Sequence, residues 1–351
     1  MKPMLVEAMK KEILYDDGFI DSRELIDSIY FGGGTPSLLN ATELNTLVET
    51  IHKKFNVSQE AEITLEANPD DINIRQIKEW MHAGINRISL GVQSFQDAEL
   101  RWMNRSHDAS QSMKSIELLQ SAGLENISAD LIFGSPLSDE TMLKKNVTIL
   151  LDKQIQHLSC YALTVEEKTA LHHQIQKQIS PSPDNEMQAK HFLLLHEWLT
   201  ETGFEHYEIS NYAIPGYRSL HNSNYWKGIP YFGFGPSAHG FNGKRTRRWN
   251  LSNNALYISQ WESNSPSYEE ELLTDTQEMN EFIMTSLRTM EGIDMMEFRQ
   301  RFGPLKASAL IKDCGRFIAE HKLTHQNERL FLTVNGMLYA DGIAAELFDL
   351  S

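Results

Sequence analysis

The chain has 351 residues, 41% hydrophobic and 23% charged, with 20 Gly and 11 Pro, a composition that excludes disordered, collagen-like and coiled-coil architectures. Its 48 Asp and Glu outnumber its 32 Lys and Arg, and the formal charge of -16 repels nucleic-acid backbones and anionic membrane surfaces, so no nucleic-acid partner is expected. The opening stretch, MKPMLVEAMKKEIL, is amphipathic and lacks the apolar core and cleavage site of a signal peptide, which makes the cytoplasm the expected location.

In chain order, short apolar or β-branched runs that end in Gly, Asn-Pro or another turn signal alternate with longer segments of helical period. The pattern predicts helix 3–15, strand 26–31, helix 41–55, strand 61–67, helix 73–83, strand 86–92, helix 110–122, strand 126–133, helix 139–151, strand 156–162, helix 186–202 and strand 205–209. The repeat is that of a βαβ unit and predicts a parallel α/β domain. Ile, Leu and Val on both strand faces suit a sheet covered by helices, and periodicity alone leaves a barrel and a doubly wound sheet both open. After about residue 210 a Gly-, Pro- and aromatic-rich stretch breaks the rhythm, followed by an acidic helical segment near 269–302 and a terminal helix-strand region. SNSPSYEEE at 263–271 reads as a solvated linker and helix start, and a domain boundary falls between 205 and 270. The chain opens on a helix, whereas a βα repeat opens on a strand. Either the first unit is missing or helix 3–15 packs beside a sheet that begins at residue 26.

Several residues carry chemistry. Gly32-Gly33-Gly34-Thr35-Pro36 follows the first strand, and its glycines either let backbone approach a ligand or simply make a tight turn. Glu66 ends the second strand, where it can bond a ligand amine or ribose, or cap the next helix. Gln93 lies just past the third strand, and Arg105, taken by itself, reads as an ordinary surface arginine sooner than as a site residue. Asp130 sits inside the apolar fourth strand, a costly place for a carboxylate unless it is paired or reaches a ligand. In a parallel barrel all of these fall at or near the C-terminal ends of successive strands, the ligand-binding face. His221-Asn222-Ser223-Asn224-Tyr225-Trp226, with Phe232-Gly233-Phe234-Gly235, joins a metal-ligand candidate to aromatics able to flank a flat ring. The alternative is a loop that packs its aromatics into a domain junction while His221 donates to a backbone carbonyl. His172 and His173 read as surface residues. Cys160 and Cys314 have no CxxC or CxxxC partner, so neither a disulfide framework nor a cluster-binding loop is visible.

The segments YFGGGTPSLL (30–39), EANPD (66–70), ISLGVQSFQ (88–96), ADLIFGSP (129–136), YALT (161–164), YEISNYA (207–213), HNSNYW (221–226) and FGFGPSAHGF (232–241) occur in an order that resembles the oxygen-independent coproporphyrinogen III oxidase-like radical SAM proteins, most closely their haem-chaperone branch. The resemblance implies an α/β fold: a partial parallel (β/α)6 radical SAM barrel without its first strand, then a smaller C-terminal α+β domain. The corresponding divisions are a truncated barrel at 1–205, a junction segment at 206–268 and a C-terminal helical domain at 269–351. It also implies that Gly33, Gly34 and Thr35 meet the methionine part of S-adenosylmethionine, with Glu66, Gln93, Arg105 and Asp130 completing the site. Arg105 would pair the methionyl carboxylate, and Asp130 would accept from the ribose hydroxyls. The HNxxYW motif implies haem, with His221 as the iron ligand.

Family members carry a CxxxCxxC loop whose thiolates hold a 4Fe-4S cluster, and these 351 residues contain none. The absent strand and absent cysteines are expected to be one absence, since helix 3–15 corresponds to the helix after that loop. Cys160 and Cys314 cannot replace three clustered thiolates. The expected function is a haem carrier that passes haem to acceptor proteins without cluster chemistry, meeting a membrane only through an acceptor, with a homodimer left open. The alternatives are radical oxidation of coproporphyrinogen III, which needs the cluster, and a degenerate S-adenosylmethionine-binding module.

Overall fold

The computed structural model describes residues 1–15, 17–21 and 23–349; the last two positions of the 269–351 segment lie outside the described residues. Helix α1 (Lys2–Leu14) precedes an alternating series: β1 (Leu25–Phe31), α2 (Ala41–Lys54), β2 (Asn56–Ala67), α3 (Ile74–His82), β3 (Arg87–Gln93), α4 (Asp97–Trp102), α5 (Ala109–Ser121), β4 (Ile127–Phe133), α6 (Glu140–Asp152), β5 (His157–Ala162), α7 (Ala170–Gln176), α8 (Asn185–Glu201), β6 (Glu205–Glu208) and β7 (Asn211–Ala213). Local chemistry starts these helices. Asn40 accepts from the Glu43 N–H while Glu43 bonds back to Asn40, and Asp108 and Gln111 do the same for α5.

The seven strands form one sheet in the order β1-β2-β3-β4-β5-β7-β6, curled into a half-barrel. Strands β1 to β5 run parallel, while β7 pairs antiparallel with both β5 and β6. The strand faces divide by chemistry, contrary to the expectation of apolar residues on both. Ile63, Leu65, Ile88, Leu90, Ala129, Leu131, Leu158 and Cys160 pack outward in the main core with helix residues such as Leu44, Ile77, Ile116, Val147 and Leu195. The residues between them are polar and meet one another inside the curl. An apolar outer face suffices because helices cover only that side.

The strand expected at 205–209 is β6, and it turns straight back into β7 as a hairpin: Glu208 takes the Ser210 N–H at 3.1 Å and the Asn211 amide at 2.6 Å, which closes the turn. Beyond it come α9 (Leu220–Trp226), β8 (His239–Phe241), β9 (Thr246–Trp249), α10 (Asn254–Glu262) and β10 (Glu269–Leu272). Glu269–Leu272 is therefore a strand and not the start of a helix; Glu270 and Glu271 lie opposite Arg248 and Arg247, so opposite charges fix the pairing. The chain ends in α11 (Asp275–Leu287), β11 (Ile293–Asp294), α12 (Met295–Phe302), α13 (Pro304–Ala319), β12 (Leu323–Gln326), β13 (Arg329–Leu332), α14 (Val334–Met337) and α15 (Ala340–Glu346), around a second core that includes Ile293, Phe298, Leu310, Cys314 and Leu330. Arg288 joins this unit to the half-barrel by reaching Glu208 at 3.2 Å. Among the described residues no helix is long and apolar enough to cross a membrane.

Helix α1 is held by a single carboxylate. Glu12, 2% exposed, accepts from the Gly235 N–H at 2.8 Å, the Asn250 amide at 2.6 Å and the Tyr257 hydroxyl at 2.5 Å. Burial raises its pKa, and these donors oppose the shift. Glu12→Ala takes the shared acceptor from three buried donors, of which the Asn250 amide keeps its bond to the Gly235 carbonyl, and urea denaturation is expected to show a loss of about 3 kcal/mol. A loss below about 0.5 kcal/mol, the range of a surface substitution, would show that the weld between α1 and residues 235–257 is not energetic.

Candidate functional site

The inner face of the curl presents polar residues at every second position: Ser28 and Tyr30 on β1, Glu62, Thr64 and Glu66 on β2, Arg87 and Ser89 on β3, Ser128 and Asp130 on β4, and His157 and Ser159 on β5. Their bonds show that they share one space. Ser128 meets His157 Nδ1 at 2.6 Å, His157 Nε2 meets the Tyr207 hydroxyl at 2.8 Å, and Tyr30 donates to Glu66 at 2.8 Å. Arg87, 2% exposed, lies 3.7 Å from Glu62, and its Nε and Nη2 have no hydrogen-bond partner among the described residues. Sequence reasoning singled out Glu66 and Asp130 but missed Tyr30, Glu62 and Arg87. The signal was present as polar residues at a period of two within otherwise apolar strands.

The glycine loop sits at the C-terminal end of β1. Gly33 and Gly34 adopt φ of 76° and 66°, and a Cβ on either would meet open space, so backbone conformation and not crowding demands glycine there. The Gly33 N–H donates to Glu66 at 3.1 Å, and Thr35 leads into a short 3₁₀ turn over Pro36–Leu38. Gln93 ends β3 with φ 65°, a left-handed conformation for a side-chain-bearing residue, where the pairing with β4 slips. Asp130 lies deep on the concave face, walled in although a little of its surface meets solvent, with Ser89 Oγ 3.4 Å from each oxygen. Burial pushes its pKa up to about 7 and the Glu66 carboxylate adds to the rise, while Ser159, Arg87 and Ser89 oppose it. Arg105 is exposed on the loop after α4; partial burial lowers its pKa, and the Asp130 carboxylate opposes that shift. The structure thus brings the Gly33 loop and Glu66 into contact at the mouth of the curl, with Asp130 and Arg105 within electrostatic reach, and sets Gln93 at the end of the neighbouring strand β3.

His221 lies on α9 beside that mouth. Its ring stacks on Tyr30 with centroids 4.7 Å apart and planes 21° apart, its Nδ1 is 3.4 Å from Ser28 Oγ, and among the described residues it bonds no backbone carbonyl. Burial lowers its pKa, which favours the neutral imidazole that ligates metals. No hydrogen bond reaches Nε2 among the described residues. Glu62 seats the helix by accepting from Ser219 Oγ at 3.3 Å, the Leu220 N–H at 3.0 Å and the His221 N–H at 3.1 Å. Tyr225 stays exposed, whereas Arg288 lies 4.8 Å over the Trp226 ring. Phe232 and Phe234 do not flank this site; they pack on Phe55 at 4.8 and 6.0 Å. His172 and His239 lie elsewhere, on α7 and β8.

The cysteines are placed for packing. Cys160 faces the outer core, where burial raises its pKa strongly, and Cys314 lies in the C-terminal core with its pKa pushed up to about 12. Among the described residues no group of three or more His, Cys, Asp or Glu is arranged to hold a metal ion. Neither thiol fits a cluster.

The Asp130 shift has a measurable sign. A carboxyl held protonated in the native state contributes stability below the ordinary carboxylate range, and that contribution is lost as pH rises through about 7. Asp130→Asn is therefore expected to gain stability relative to wild type between pH 4 and pH 8, by roughly 2–4 kcal/mol in urea denaturation. A difference that does not change over that range would refute the raised pKa.

Residues 15–144 match the radical SAM superfamily and residues 273–339 match the HemN C-terminal domain. The Heme chaperone HemW of Bacillus subtilis (strain 168) is 33% identical over 321 residues, 91% of this chain and 84% of that protein. The Heme chaperone HemW of Escherichia coli (strain K12) is 30% identical over 346 residues, covering 98% of this chain and 89% of its own. The solved coproporphyrinogen III oxidase HemN of Escherichia coli, a radical SAM enzyme, superposes with a TM-score of 0.83 over 99% of this chain and 83% of its own, at 20% identity, and so speaks to the fold. The half-barrel, its polar mouth and these likenesses agree: the chain belongs to the oxygen-independent coproporphyrinogen III oxidase-like radical SAM family, in the branch whose members are named Heme chaperone HemW.

Proposed function

We propose that this chain binds haem through His221, holds S-adenosylmethionine over the glycine loop, and passes haem to acceptor proteins. The observation that carries the haem reading is the setting of His221: its ring is seated on Tyr30, Nδ1 faces Ser28, and Nε2 has no hydrogen-bond partner among the described residues. An imidazole fixed at one nitrogen presents the other to iron, and the partner of the first nitrogen sets the tautomer. Tyr225, four residues on and exposed, offers apolar surface for a porphyrin edge on the same helix face. His221, on a short helix, would hold the iron through one imidazole, which would suit a carrier that must release its load. The names of the relatives support this reading, and membership of the radical SAM superfamily supports adenosylmethionine.

The residues at the mouth fit adenosylmethionine. Backbone at Gly33 and Gly34 can approach the methionine part, Glu66 can accept from its ammonium, Asp130 from ribose hydroxyls, and Arg105 can pair its carboxylate. Reductive cleavage of adenosylmethionine draws its electron from a thiolate-held cluster, a duty that neither Cys160 nor Cys314 fits, so no radical step is assigned to these residues.

An absorbance titration with haem is expected to show a shifted Soret band and lower affinity for His221→Ala, and near-wild-type behaviour for His239→Ala and His172→Ala. Wild-type spectrum and affinity in His221→Ala would sink the haem reading. In calorimetry, S-adenosylmethionine is expected to bind this chain weakly, with Asp130→Ala and Arg105→Ala each costing about 1.5–3 kcal/mol of what binding there is. Equal affinity in all three proteins would take both residues out of the site.

A further inference from the structure

The glycine loop and helix α9 come from distant parts of the chain, and two side chains connect them. The Tyr30 ring lies against His221, its hydroxyl donates to Glu66 Oε1 at 2.8 Å, and Glu66 Oε2 takes the Gly33 N–H at 3.1 Å. Gly32 makes room for this chain of contacts: a Cβ there would fall 2.5 Å from Tyr30 Cε1 and 2.9 Å from Glu66 Oε1. Ser28, which faces His221 Nδ1, lies on the same strand two residues before Tyr30. Strand β1 therefore forms the seat of the imidazole, and Glu66 holds the seat in place.

We propose that Tyr30 is a positioning residue that couples Glu66 at the glycine loop to His221, so that a change at Glu66 alters the ligation of haem. The proposal rests on the haem reading of His221. A ring stacked face to face restricts rotation of the imidazole, and the contacts of an axial histidine tune the iron it binds. The Tyr30 hydroxyl is held inside the curl by one acceptor, and a phenol that loses its acceptor in such a place gains by moving out to water. A ligand ammonium or hydroxyl that engages Glu66 draws on the same carboxylate, and by linkage its binding and haem binding then affect each other by the same factor.

The test uses the full chain and haem alone. Absorbance titrations, with electron paramagnetic resonance of the ferric complex, compare wild type, Tyr30→Ala, Tyr30→Phe, Glu66→Ala, Glu66→Gln and the double variant Tyr30→Phe/Glu66→Ala, with circular dichroism reporting folding. Tyr30→Ala is expected to weaken haem binding about tenfold and to shift the Soret band; Tyr30→Phe, which keeps the ring, stays within about twofold. Glu66→Ala is expected to weaken binding about threefold where Tyr30 is present and to add nothing in the Tyr30→Phe background, while Glu66→Gln, still an acceptor, largely restores wild-type behaviour. An equal effect of Glu66→Ala in both backgrounds, or wild-type spectra in both Tyr30→Ala and Glu66→Ala, overturns the coupling. If His221→Ala also matches wild type, the haem reading has failed; if His221→Ala loses its ligation signature, that reading stands and the coupling alone has failed.

Discussion

Glu62 is the carboxylate on which the arrangement depends. It projects from β2 into the curl, where an unpaired charge would be expensive, and it is satisfied by three donors from residues 219–221. Arg87 faces it at 3.7 Å from the next strand. A carboxylate is well matched to the start of a helix, where free N–H groups and the helix dipole both favour negative charge. The bond thus serves two elements at once: it neutralises the inside of the sheet, and it fixes where α9 begins. Asn224 adds a second tether by donating to Asp27 on β1 at 2.9 Å. With both ends of the helix tied to the strands, His221 lies over Tyr30 as a consequence of the barrel and not of its own loop.

The polar inner face follows from the same constraint. Five strands bury their apolar side chains against helices on one side only, so the concave side is free to carry Ser, Glu, Arg, Asp and His. Those groups sense one another. The Arg87 charge opposes the rise of the Asp130 pKa and helps hold His157 and His221 in the neutral form, although burial is the larger cause in each case. A chamber of this kind tunes proton occupancy through its walls, and at the mouth that tuning falls on Asp130.

Two further contacts keep the mouth in shape. Glu12 fastens α1 to the glycine- and aromatic-rich stretch, and Phe232 and Phe234 from that stretch fill the core beside Phe55. At the other end of the sheet, Arg288 bonds Glu208 and Asp341 and covers the Trp226 ring, so the C-terminal unit braces the far side of α9. The aromatic residues around the HNSNYW helix therefore differ in setting: Tyr225 stays exposed, while one face of Trp226 meets a guanidinium.

The sequence by itself determined the alternation of strands and helices, because hydrophobic period and capping chemistry act over a few residues and do not need the rest of the fold. It also singled out the glycine loop, Glu66, Gln93, Asp130 and His221, since a βα repeat sends strand ends to one face and a carboxylate inside an apolar strand is conspicuous. The β6–β7 hairpin and the strand at Glu269–Leu272 were not legible, because the bonds of Glu208 and the charges of Arg247 and Arg248 outweigh local preference there. Only the tertiary structure decided that Tyr30 stacks on His221, that Glu62 caps α9, and that Cys160 turns away from the mouth. Each of these depends on which partner the curl brings within bonding distance across many residues of chain, and on the one-residue register that sends a strand side chain inward or outward; the close approach itself is long-range packing, which no local pattern encodes.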